Sequence, residues 1–338
     1  MCKWGSSSAS GASSRVSVSA SGATMRDRLP ALGTLGPVLA LAVACAFFAT
    51  RSERFLTGDN LSLVLQQVMV VGVIAIGQTL VILTAGVDLS CGMVMALGGV
   101  VMTTLAVDHQ VAVPLAIASG VAVTTLFGLV NGLLVTRVKL PPFIVTLGTL
   151  NIAFAITQLY SGAQTVTNLP ASMTALGGTF AIGGTTVVYG AVLMLVLYGV
   201  ATYGLSQTAS GRHVYAVGNN PEAARLTGIP TQRVLLLVYT LAGTIYGVAA
   251  WLLVSRTGVG DPNAGQTDNL DSITAVVLGG TSLFGGRGVI FGTLLGALIV
   301  GVFRNGLTLT GVGSVYQVLI TGILVILAVT ADQLSKKK

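Results

Sequence analysis

Four stretches of this chain carry no Asp, Glu, Lys or Arg: Leu61–Val87, Gln110–Thr136, Leu140–Gly211 and Asn305–Ala331. A helix needs about 20 mostly apolar residues to cross roughly 30 Å of hydrocarbon, and each of these runs exceeds that. Only 8% of the residues are charged, against about 25% in a soluble domain whose surface must be solvated. The fold class that follows is all-α: a polytopic helical bundle with membrane lipid as its solvent. The 44 glycines fit this reading, because small residues let bilayer helices approach closely. Cys2, Cys45 and Cys91 are scattered without disulfide or metal spacing and read as small packing residues.

Ten spans are predicted, at Leu32–Thr50, Leu61–Thr84, Leu89–Val107, Val113–Thr136, Phe143–Tyr160, Val187–Ser206, Val234–Ser255, Ser272–Phe284, Gly288–Phe303 and Val315–Ala331. The string Ala42–Val43–Ala44 before Cys45 has the look of a signal-peptidase site. The apolar run around it is too long for a signal core, so it reads as the first span. The Ser272 segment is short, and reads either as a tilted helix borrowing from Asp268–Asp271 or as a broken helix lining a cavity. Residues 1–30 are expected to be a disordered extension, with Met1–Thr24 rich in Ser, Ala and Gly and a more ordinary membrane-protein start at Met25. The membrane domain is then 31–332, and 333–338 is a basic tail.

Basic residues fix an expected orientation. With ten spans and an inward N-terminus, Lys3, Arg15, Arg26, Arg28, Arg137, Lys139, Arg212, Arg225, Arg233, Arg287 and Lys336–Lys338 face inward, while Arg51, Arg54, Arg256 and Arg304 face out. That split follows the positive-inside rule. The net charge of +7 is therefore a topology signal and implies no nucleic-acid partner. Two connections exceed simple turns: Ser161–Thr186, outside and uncharged, and Gln207–Gln232, inside and charged. Both are candidates for partner contact.

The chain lacks the groups of an enzyme. None of its five lysines follows the spacing of a phosphate-binding loop. His109 and His213 stand alone, so no metal site and no catalytic residue are expected. ATP-driven work would need its ATPase, with ATP and Mg, on another polypeptide.

Two motifs are informative. In GVDLSCG (Gly86–Gly92), Asp88 is the one ionisable residue between Leu61 and Val107. Asp88 and Ser90 opening an apolar run read first as a helix N-cap, with a substrate or proton role as the alternative. In GRHVYAVGNNPEAARLTGIP (Gly211–Pro230), Asn219 and Asn220 precede Pro221, which suits the first position of a helix. Glu222 then falls in the first turn, where it complements the helix dipole. Ala223, Ala224, Arg225 and Leu226 continue a short helix that Gly228 and Pro230 stop. Such a helix between two spans is built to sit in a partner.

The string Glu222–Gly228 has the pattern E-A-A-x-x-x-G, which resembles the coupling motif of ABC importer permeases. YAVGNNPEAARLTGI resembles the form found in the ribose, xylose and arabinose permease family. So do GVDLSCGMVMALGG (Gly86–Gly99), NGLLVTRVKLPPFIVTLGTL (Asn131–Leu150), LDSITAVVLGGTSLFGGRG (Leu270–Gly288) and GTLLGALIVGVFRNGLTLTGV (Gly292–Val312). These blocks run in order from about Leu61 to Asp332. The resemblance implies an inner-membrane permease that pairs with a second permease copy. Two ABC ATPase subunits would dock inside, and a periplasmic sugar-binding protein would deliver cargo outside. Pro221, Glu222, Ala223, Ala224, Arg225 and Gly228 would then be the ATPase-coupling element. One departure is Asn269, which stands where members of that family commonly carry Glu.

Six polar residues within spans, Gln66, Gln67, Gln78, Asn131, Asn151 and Gln158, suit a path for a neutral, hydroxyl-rich solute, since amides both donate and accept. Interhelical hydrogen bonding is the competing reading for each. Other cargo, such as a branched-chain amino acid or a nucleoside, stays open, as does a secondary carrier driven by ions, which Asp88 and the short Ser272 segment would favour.

Overall fold

A computed structural model describes residues 31–182 and 185–336; the expected N-terminal extension falls outside the described residues. Twelve α-helices follow one another: α1 (Ala31–Arg51), α2 (Gly58–Leu83), α3 (Cys91–Val107), α4 (Val113–Leu133), α5 (Pro142–Ser161), α6 (Tyr189–Gln207), α7 (Ala209–Asn219), α8 (Pro221–Leu226), α9 (Thr231–Thr257), α10 (Asp268–Leu278), α11 (Ile290–Leu309) and α12 (Ser314–Lys336). A helix occupies each of the ten predicted spans. Six helices are long and apolar enough to cross a membrane on length and composition: α2, α4 with a π-helical extension Leu134–Val138, α5, α6, α9 and α11. The described apolar parts of α1 and α12, and all of α3, are shorter, so length alone does not reach the expected ten. The Ser272 segment does borrow from Asp268–Asp271, but it stops at Leu278 instead of Phe284.

The long connection between α5 and α6 is more structured than its uncharged Gly/Thr composition implies. It contains a short hairpin, β1 (Thr179–Ile182) and β2 (Thr185–Val188), paired antiparallel with Thr179 opposite Val188. Phe180 stacks on Tyr189 at the start of α6, with ring centroids 5.0 Å apart. The Met173 carbonyl accepts from Trp251 Nε1 (3.0 Å) and Ser255 Oγ (2.8 Å), which ties the connection to α9.

Burial separates a protein-facing interior from a lipid-facing shell. The apolar window of α2 is 78% buried, against 22% for α4, so α2 is the central strut. Outward residues of the shell are large and apolar, including Leu115, Leu126, Leu147, Ile152, Leu195, Val196 and Val200. Such a surface is stable only against hydrocarbon. Close helix contact depends on glycine where α4 crosses α9. A Cβ on Gly128 would fall 3.0 Å from Gly243 Cα, and a Cβ on Gly243 would fall 2.5 Å from the Thr124 carbonyl oxygen.

Near the start of α2, Asn60 Nδ2 donates to Asn305 Oδ1 (3.0 Å) and Asn305 Nδ2 donates back to Asn60 Oδ1 (2.9 Å). Both residues are buried, and the pair clasps α2 to α11. Asn305→Ala is expected to cost about 1–2 kcal/mol, since one amide is left with unmet bonds in an apolar setting. Thermal unfolding in detergent, compared with wild type, measures it.

Candidate coupling site

The segment between α6 and α9 folds into two helices, α7 and α8. Thr208 caps α7 by accepting the Gly211 N–H at 3.1 Å. Asn220 then breaks the chain with extended backbone (φ −158°, ψ 100°) and caps α8. Its Oδ1 accepts the N–H groups of Glu222 (3.1 Å) and Ala223 (3.0 Å). Pro221 takes the first helical position, where no amide is needed. Gly228 ends the turn at φ +87°, with the Ile229 N–H returning to the Ala224 carbonyl at 3.0 Å.

On α8, Arg225 grips Glu222 through two contacts, Nη2 to Oε1 at 2.5 Å and Nε to Oε2 at 3.1 Å. The hydrogen bond from Arg225, and then its charge, hold the Glu222 carboxyl below the usual range for its type. Both side chains are mostly exposed, as is Leu226 at 76%. Only Ala224 of this helix is buried. A charged pair and an unsheltered leucine on a short projecting helix form a surface that another protein can grip.

Composition gave no warning of α7, which links this surface to the bundle. Its Gly218 has no room for a side chain: a Cβ there would overlap the Leu83 carbonyl oxygen at the end of α2 and lie 2.7 Å from the Gly286 amide nitrogen. The Gly286 N–H donates to that same Leu83 carbonyl at 2.9 Å. Gly285 (φ +80°) packs on Ala85, and Tyr215 Oη donates to the Gly288 carbonyl at 2.9 Å. Thus the α10–α11 loop, the α2–α3 turn and α7 meet backbone to backbone. The glycine string GGTSLFGGRG and the turn just before the GVDLSCG motif converge on α7, the helix that precedes the one carrying Glu222. Backbone contacts of this kind transmit displacement, because neither side has a flexible side chain to absorb it.

Beyond the turn, Asp88 is buried, 1% exposed. Ser90 donates both its N–H (2.9 Å) and its Oγ–H (2.6 Å) to Asp88 Oδ1, and Asn131 Nδ2 donates to Ser90 Oγ at 3.1 Å. The N-cap expectation needs correction here. Ser90 is the residue that caps α3 and no side chain accepts from the helix's first amides; Asp88 stabilises the turn before it. Gln78 Oε1 accepts from Tyr246 Oη at 3.4 Å. Gln78 and Asn131 therefore join the buried interior around the α2–α3 turn.

The other path candidates are dispersed. Asn151 is exposed and its Nδ2 bonds the Leu147 carbonyl of its own helix at 3.0 Å. Gln158 Nε2 reaches Asn263 Oδ1 at 3.0 Å and so pins the loop after α9. Gln66 and Gln67 are half-buried on α2; the Gln66 carbonyl accepts from Arg256 Nη1 at 3.5 Å, and Gln67 Oε1 has no partner.

Residues 60–329 match the family model described as branched-chain amino acid transport system / permease component. The fructose import permease protein of Rhizobium meliloti is 45% identical, over 89% of this chain and 85% of its own length. The ribose import permease proteins of Escherichia coli K12 and Bacillus subtilis are 40% and 39% identical, over 87% and 88% of this chain and 92% of their own lengths. With nearly the whole chain aligned, it belongs to the permease component family of branched-chain amino acid transport systems, the family model that matches it.

Proposed function

We propose that this chain is the membrane-spanning permease subunit of an ATP-binding-cassette importer for a monosaccharide. It carries no ATPase of its own. The partner ATPase binds ATP and Mg and docks on α8, and a periplasmic binding protein delivers the sugar to the opposite face. The observation that carries this reading is the combination of sugar-permease relatives aligned over most of their length with an exposed helix Pro221–Leu226 that follows α7, itself packed backbone to backbone on the bundle. Two copies are proposed to pair across the exposed apolar residues of α5 and α12, among them Leu159 and Val315 at 83% and 79% exposed. The chain is proposed to cross the bacterial inner membrane ten times with both termini cytoplasmic, as its basic residues favour.

The family model's description leaves a second cargo class, the branched-chain amino acids. A panel separates the two. Proteoliposomes with the permease, its ATPase and its binding protein are given labelled D-fructose, D-ribose, D-xylose, D-allose and L-leucine. ATP-dependent uptake of one or more sugars and none of leucine is expected. Uptake of leucine alone contradicts the sugar assignment.

A further inference from the structure

After α9 the chain does not simply turn at the membrane surface. Gly260 lies against Thr103, near the end of α3, and Gly265 lies against Gly92, in its first turn. Residues 258–267 therefore run back along α3 for most of its length, about 16 Å at 1.5 Å per residue. The next helix, α10, begins at that depth, with Asn269 Nδ2 donating to the Leu89 carbonyl at 3.3 Å. Irregular backbone at membrane depth is tolerated where it is buried in protein or lines a water-filled cavity.

Four ionisable residues gather where α10 begins. Asp271 Oδ2 stands 3.1 Å from Arg304 Nη2 of α11. The Asp271 side chain is only 4% exposed, and Arg304 is its ion-pair partner. Asp268 is within Coulombic reach of both Arg304 and Arg256. The Arg304 side chain is 40% exposed, and Arg256 and Leu270 are exposed as well. The open face of the Arg304 guanidinium cannot rest against hydrocarbon; it faces water or a cavity.

We propose that Asp268, Asp271, Arg256 and Arg304 form a sugar-contacting station in the translocation path, where the broken helix α10 begins. This rests on the sugar-importer reading above. Two carboxylates and two guanidiniums sum to no net charge, which suits a neutral cargo. The carboxylates accept from sugar hydroxyls, and the guanidiniums donate to them. Gln66, whose carbonyl holds Arg256, sits at the rim.

The test uses the reconstituted complex, with D-ribose and D-fructose as probes. In a permease carrying Cys2→Ala, Cys45→Ala and Cys91→Ala, Leu270→Cys is treated with a membrane-impermeant thiol reagent during turnover. The expected result is modification that the transported sugar slows and a non-transported one does not. Asp271→Asn is expected to reduce sugar uptake about tenfold or more, as befits a lost charged hydrogen bond, while ATP hydrolysis and complex assembly persist. The exchange Asp271→Arg with Arg304→Asp restores an ion pair; it is expected to assemble yet stay poor in uptake. Rescue of uptake by that exchange, or a Leu270→Cys that never reacts, overturns the station as a sugar contact and assigns the cluster to packing or to the second copy. If the parent complex takes up neither sugar with ATP, the importer reading fails first and the station with it.

Discussion

A Gly218→Val permease is expected to insert and assemble yet lose ATP-driven uptake by about ten- to a hundredfold, the kinetic equivalent of the 1–3 kcal/mol that overpacking costs. The first methyl-bearing carbon at this position collides with the Leu83 carbonyl and crowds the Gly286 amide. Both obstacles are backbone, so neither can rotate away. The α10–α11 loop and the α2–α3 turn must move apart from α7, and displacement of α8 then no longer reaches the bundle in register. Gly228→Ala is the informative contrast. That glycine also has positive φ (+87°), but nothing lies within 4 Å of where its Cβ would be. Only local strain, about 1 kcal/mol, is expected, with uptake largely kept. Size-exclusion chromatography of both variants separates uncoupling from misfolding.

The second large effect is expected from Glu222→Lys. The substitution removes an acid from the first turn of α8 and sets a like charge beside Arg225. On so exposed a helix the direct cost to the permease fold is small. At a docked interface, by contrast, reversed charge meets groups chosen for the opposite sign, a juxtaposition costing several kcal/mol. Uptake is expected to fall by at least about tenfold with membrane insertion unchanged. Because Arg225 holds the Glu222 carboxyl below its ordinary pKa, the pair is fully formed at and above the ordinary carboxylate range. It is lost only as pH falls through that lowered value. Above the ordinary range, pH leaves this contact unchanged.

Helix positions were legible because charge-free runs between Pro, Gly and Arg leave a bilayer chain little choice, and the turn from Asn219 to Gly228 was legible because each cap is a local contract between neighbours. Three features were not. The α7 helix lies in a polar string that reads equally well as loop; what gives it shape is Gly218 fitting under Leu83, a contact from over a hundred residues away. The dive of residues 258–267 is hidden in GVGDPNAGQT, whose Asp, Pro and Asn spell a surface turn. Only the pairing of Gly260 with Thr103 and of Gly265 with Gly92 shows its depth. The proposed station was also dispersed: Arg304, Arg256 and Asp271 come from three helices, the two arginines reading singly as topology markers and Asp271 as the end of a short span. Among the amide candidates, Gln66 meets Arg256 through its backbone carbonyl and not its side-chain amide, while Asn151 bonds within its own helix.

An ATPase is proposed to drive this permease through α8. The most direct measurement is uptake of labelled D-ribose and D-fructose into proteoliposomes containing wild-type or Glu222→Lys permease, with and without its ATPase, its binding protein and an imposed sodium or proton gradient. The expected result is uptake that needs ATP and both partners, ignores the gradient and is lost in the variant. Uptake by the permease alone, driven by the gradient and indifferent to residue 222, would contradict it and turn attention to the buried carboxylate of Asp88.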